Sequence, residues 1–102
     1  MFLVVFRNRK RADIDQAAYD ADAAAMEKLA RTQPGFLSFK SYTCDDGEVV
    51  ALSEWESEAA ARQWRRNRAH AQVQNRGRER YYANYTMFAC ESPQVHEFER
   101  DL

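Results

Sequence analysis

The segment "PGFLSFKSYTCDDGEVVALSEWESEAAARQW", residues 34–64, runs through two strands and into a helix without a break. Pro34 and Gly35 cannot continue a preceding helix, and Gly35 suits a sharp reversal. "FLSFKSYT" (36–43) then reads as an alternating strand, with Phe36 on one side and Leu37 and Phe39 on the other. "CDDGE" (44–48) supplies hairpin-loop residues, and "VVALSEW" (49–55) is the returning strand. Ser57 stands where an N-cap belongs, with the helix formers "EAAARQWRR" (58–66) behind it. A hairpin that feeds directly into a helix is half of a recognisable topology.

The flanks supply the other half. "FLVVFRNR" (2–9) is β-branched and aromatic before it turns polar, so it reads as a strand; "RADID" (11–15) follows as a turn with Asp13 placed to cap a helix. From Ile14 to about Arg31 the stripe Ile14, Ala18, Ala21, Ala25, Leu29 keeps helical spacing, with Met26 beside it. Downstream, "RAHAQVQNRGRER" (68–80) is a second short helical run, and "YYANYTMFACE" (81–91) is a fourth strand. The order β-α-β-β-α-β predicts an α+β, ferredoxin-like domain: a four-stranded antiparallel sheet with helices on one face. It is expected to occupy residues 1–92, followed by a polar C-terminal tail, 93–102.

At 102 residues, 45% hydrophobic and 30% charged, the chain has material for one compact core. A net charge of -1 argues against nucleic-acid or membrane binding by bulk charge. The longest apolar run, "MFLVVF", is far too short for a membrane helix and poorly flanked for a secretory signal, so a cytoplasmic location is expected. Cys44 and Cys90 are isolated, with no CxxC and no nearby histidine, and read as reduced structural thiols with no metal between them. Both sheet faces are apolar: Phe2, Val4 and Phe6 oppose Leu3 and Val5, and Tyr85, Met87 and Ala89 oppose Thr86, Phe88 and Cys90. Two helices cover one face only, so a homodimer that buries the other is expected.

Taken together, "QPGFLSFKSY", "EWESEAAARQW" and "AHAQVQNRGRERYYANY" resemble the antibiotic-biosynthesis monooxygenase family, the dimeric α+β barrel proteins of ferredoxin-like fold. The likeness spans nearly the whole chain, from the first strand to about Cys90. It implies a homodimer and an oxygenase of small electron-rich aromatics, phenol, quinol or polyketide-like, that uses dioxygen without metal, flavin or other cofactor. The family also has a heme-degrading branch, whose iron ligand is a histidine at the position of Gln74 here, for which His70 would have to substitute, and many members of unknown role; a dimer that binds a small molecule without catalysis is the remaining alternative for this chain.

Candidate site residues follow from the residues and the resemblance together. The resemblance maps a first-strand pocket asparagine onto Asn8, an amide that could equally satisfy loop backbone before a turn. It places a pocket tryptophan at Trp64, whose face could stack on substrate and whose N–H could donate a hydrogen bond; a core tryptophan anchoring the helix is the other reading. His70 comes six positions later, nearly two turns if the helix continues and closer if it breaks at "RNR". A neutral imidazole there can take a substrate proton, although a lone histidine on an Arg-rich segment is often only a surface group. Met26, Phe36 and Tyr82 are candidate substrate-binding walls. Between Arg62 and Arg80 lie seven arginines and one acid, most of them expected on a solvated face. Arg78 is the exception, expected either to pair with Glu54 or to hold an anionic substrate. Trp55 reads as packing at the strand-to-helix junction, and His96 as solvated.

Overall fold

The computed structural model describes residues 1–101 and has the expected order of elements. Strands β1 (Phe2–Lys10), β2 (Phe36–Thr43), β3 (Val49–Trp55) and β4 (Tyr82–Glu91) form one antiparallel sheet in the order β2-β3-β1-β4. Helices α1 (Gln16–Ala30), α2 (Glu58–Arg66) and α3 (Arg68–Arg76) pack on one face, and a π-helical turn, Gly77–Tyr81, joins α3 to β4. Among the described residues no helix is long and apolar enough to cross a membrane. This is the α+β, ferredoxin-like fold, and its consequence is a single helix-covered sheet face.

The local signals act where the chain needs them. Ser57 caps α2, its Oγ accepting from the Ala60 N–H at 3.1 Å. Gly35 has φ of +81°, and a β-carbon there would lie 2.5 Å from that of Ala60, so the reversal before β2 admits no side chain. Asp15, not Asp13, caps α1, accepting from the Ala18 N–H at 3.0 Å. Asp13 instead pairs with Arg11. The inward stripe of α1 is correspondingly one residue later than expected. Tyr19, Met26 and Ala30 face the sheet, while Ala21 and Ala25 are exposed.

Two β-bulges change which side chains share a face. Phe36 pairs with Trp55 but Ser38 already pairs with Glu54, so Leu37 is an extra residue. That single insertion turns Phe39 to the side of Phe36, against the simple alternation. The second lies between Arg9↔Asn84 and Lys10↔Tyr82, where Ala83 is extra and Tyr82 joins Tyr85 on the helix side. Each bulge adds an aromatic ring to the same interior.

That interior is thin. Among the described residues only Ala30, Trp55 and Tyr81 are buried apolar side chains, and Asn8 is the buried polar one. Trp55, 1% exposed, is the anchor: Phe36 meets its edge and its indole N–H donates to the Ser53 Oγ at 3.1 Å. Little else is fully buried because the space between sheet and helices is hollow.

Candidate functional site

A cavity of about 710 Å³ opens between the helix-covered sheet face and the three helices. Its volume suits a flat molecule of a few fused rings. Asn8, Met26, Phe36, Trp64, His70, Arg78 and Tyr82, residues scattered from one end of the chain to the other, all line it. β1 supplies Phe2, Val4 and Phe6 as an apolar floor that ends in Asn8.

The imidazole of His70 is set by a break in the chain. In a continuous helix, Trp64 and His70 would be displaced by about 9 Å along the axis and would face different sides. Asn67 (ψ 130°) interrupts the helix, and its Oδ1 accepts from the backbone N–H of Ala69 and of His70, starting α3 afresh. The His70 ring folds back onto Trp64 with centroids 4.2 Å apart and planes within 12°. Trp55 stacks on the same indole at 6.2 Å. The stacking face expected for substrate on Trp64 is therefore occupied, at least on one side, by the site's own histidine. What Trp64 leaves to a ligand is its Nε1–H, which has no protein acceptor among the described residues.

Nδ1 of His70 lies 3.1 Å from the Trp64 carbonyl oxygen. A carbonyl only accepts, so Nδ1 carries the proton and donates it, and Nε2 is left with a lone pair. Burial pushes the His70 pKa below the ordinary 6.5, partly opposed by that same carbonyl, so the ring is neutral near pH 7. A half-buried neutral imidazole with one nitrogen tethered and one free can accept a proton from a ligand.

At the other end of β1, Asn8 is 3% exposed and its Oδ1 accepts a 2.6 Å hydrogen bond from Lys10 Nζ. The ammonium lies 4.5 Å from the centroid of Tyr19 and 5.8 Å from that of Tyr82. Burial lowers the Lys10 pKa and raises that of Tyr82 well above the ordinary phenol range, so Tyr82 keeps its proton. Phe6, Tyr82 and Tyr85 form an aromatic cluster beside them, Tyr82 meeting the other two edge-to-face and Phe6 and Tyr85 tilted against each other.

A third group closes the cavity between α1 and α3. Asp22 accepts from Arg76 Nε at 3.1 Å and Nη2 at 2.9 Å, and from the Tyr81 hydroxyl at 2.8 Å. The Arg76 hydrogen bond, aided by that of Tyr81, holds the Asp22 carboxyl below the usual range. Tyr81 also meets Tyr19 edge-on.

Of the two roles expected of Arg78, the ion pair with Glu54 is not formed: the side chain sits at the rim, exposed, and donates to Asn75 Oδ1. Glu54 pairs across from Leu3 on the opposite sheet face, so the sheet itself separates the two. Lys10, Tyr19, Asp22 and Tyr81 were not singled out in the sequence. Lys10 alone had a usable signal, since it stands two residues beyond Asn8 and the strand parity carries it to the same face. At the position where the heme branch carries its iron ligand, the donor does not fit. Gln74 lines the cavity with a carboxamide, a poor iron ligand, where the resemblance calls for an imidazole.

The sequence model for antibiotic biosynthesis monooxygenases matches residues 1–76 of this chain. The uncharacterized protein YqjZ of Bacillus subtilis is 31% identical over 86 residues, spanning 84% of this chain and 74% of that protein. Rv0793 from Mycobacterium tuberculosis superposes with a TM-score of 0.80 at 21% identity, over 94% of this chain and 98% of that one. SnoaB, a cofactor-independent oxygenase from Streptomyces nogalater, superposes with a TM-score of 0.75 at 16% identity, over 92% and 94%. At these identities the two structures establish a shared fold.

Proposed function

The chain belongs to the antibiotic biosynthesis monooxygenase family, and on that premise we propose that it oxidises a small electron-rich aromatic, phenolic or quinol-like, with dioxygen in the cavity beside His70. The observation that carries the reading is the tethered imidazole: Nδ1 bound to the Trp64 carbonyl, Nε2 free inside an aromatic-walled space. Oxygenation of a phenol without a cofactor most needs that proton removed, because the phenolate gives up an electron to dioxygen far more readily than the phenol does. His70 takes the proton, and the Asn8 amide and the Trp64 N–H offer hydrogen bonds to the oxygens that become negative. The balance needs no outside reductant. A phenol and one dioxygen give a quinone and one water, the substrate supplying all the electrons. Apolar walls keep bulk water from the intermediate.

The same proposal has the protein acting as a homodimer, joined through the sheet face that the helices leave bare.

Oxygen consumption with a panel of dihydroxynaphthalenes tests it. Uptake that is lost in His70→Ala and weakened in Asn8→Ala is expected; equal turnover in wild type and both variants would sink the mechanism. Thermal stabilisation by the same compounds with no oxygen uptake would reduce the protein to a binding module, and stoichiometric uptake of hemin with a Soret shift would move it to the heme branch.

A further inference from the structure

The ammonium of Lys10 can only donate, so the Asn8 atom it meets at 2.6 Å is the carbonyl oxygen, and the amide nitrogen points the other way. That nitrogen has no protein acceptor, yet among the described residues no fully buried polar atom lacks a partner. Nδ2 therefore keeps some accessible surface, and for a residue 3% exposed that lines the cavity, the surface is the cavity's own.

The charge on Lys10 is also uncompensated. No carboxylate of the described residues forms an ion pair with it, and besides the Asn8 oxygen the ring faces of Tyr19 and Tyr82 lie 4.5 and 5.8 Å from it. The acids that line the cavity are already engaged: Asp22 by Arg76, Glu27 by Arg31, Glu58 by Arg62. Arg65 and Arg78 stand at the lining without ion-pair partners among the described residues. A cation held one hydrogen bond behind the amide strengthens it as a donor, and the surrounding field favours a negative ligand atom.

We propose that Lys10 is a positioning residue that turns the Asn8 amide so its N–H₂ faces the cavity, and that the site thereby selects flat aromatics bearing an anionic oxygen over neutral isosteres. This rests on the reading of the cavity as an aromatic-substrate site and adds the charge class of its substrate. It does not require turnover.

The test is calorimetric titration of the protein with 2-naphthoate and with 2-naphthamide, which have the same shape and differ in charge. Wild type is expected to prefer the carboxylate by about tenfold. In Lys10→Met the preference falls to about twofold or less, and Lys10→Arg, which keeps a charged donor, restores most of it. A bulk-charge effect of Arg65 and Arg78 would survive the Lys10→Met exchange, so an unchanged preference overturns the proposal. So does a wild type that shows no preference, or no measurable binding of the carboxylate. Should the methionine variant not fold, Lys10→Leu serves, since it too removes both the donor and the charge and is expected to lose the preference in the same way. Selective binding without oxygen uptake would remove the oxygenase reading and leave this one; oxygen uptake without selectivity would do the reverse.

Discussion

The base role proposed for His70 rests on its surroundings. Its ring is stacked, its Nδ1 is tied to a backbone oxygen six residues back, and burial keeps it neutral. Activity that depends on the neutral form is lost as pH falls through the His70 pKa. Because that pKa is depressed, kcat/KM for a phenolic substrate should already be on its plateau at pH 7 and fall only below 6.5. His70→Ala should lower the plateau on the order of a hundredfold or more and abolish this acid limb. A pH–rate profile of both proteins checks this, and an acid limb that persists in the variant would assign the base elsewhere. Asn8 was legible as a candidate chiefly through resemblance and His70 through the chemistry of a lone imidazole, because nothing in the local sequence says that an amide ends up nearly inaccessible or that an imidazole folds back onto an indole. Lys10 was missed for a plainer reason: a lysine at a strand end is ordinarily solvated, and only the ring faces of Tyr19 and Tyr82, distant in sequence, make it otherwise.

Elements bring these side chains together, and two of them are fixed by points that tolerate little change. Gly35 combines a positive φ with a forbidden approach to Ala60. Gly35→Ala should therefore destabilise the fold by about 1–3 kcal/mol, read as a lowered urea midpoint with unchanged slope. Asp22 locks α1 to α3 and to the π-helical turn. Its carboxyl is held below its unfolded value, so the linked stability is present above the unfolded carboxylate range and is lost as pH falls through the folded pKa. Asp22→Asn should lower Tm by a few degrees at pH 7, with the gap to wild type narrowing in acid; a pH-independent gap would show that shape, not charge, holds the lock. The strand and helix order was readable because Pro34, Gly35, Ser57 and the Gly47 hairpin each force a boundary by local chemistry. The bulges at Leu37 and Ala83 were not, since neither carries a glycine or proline and each is fixed only by pairing with a distant strand. Yet they decide that Phe39 and Tyr82 face the cavity.

At the scale of the whole molecule, the unfinished surface is the sheet face away from the helices. Phe88, Val5 and Leu52 run side by side across β4, β1 and β3, with Phe88 52% exposed and Leu37 47% exposed nearby. A monomer leaves this row in water, at a cost of roughly 25 cal/mol for each Å² of apolar area that a partner would cover. A second copy of the sheet is the complementary surface available to every molecule in solution, and two-fold symmetry lets each Phe88 row meet its equivalent. Sedimentation should give a species of twice the 11.9 kDa chain mass for the wild type. Phe88→Asp sets a carboxylate in the middle of the row and should shift the population to single chains, because an unpaired charge in such an interface is expensive to desolvate. The substituted side chain lies on the far side of the sheet from His70 and Asn8, so the helix-covered fold should survive, with an unchanged far-ultraviolet circular dichroism spectrum. A wild type that sediments as single chains at micromolar concentration would leave the apolar face without its expected occupant and would separate the cavity chemistry from any requirement for association.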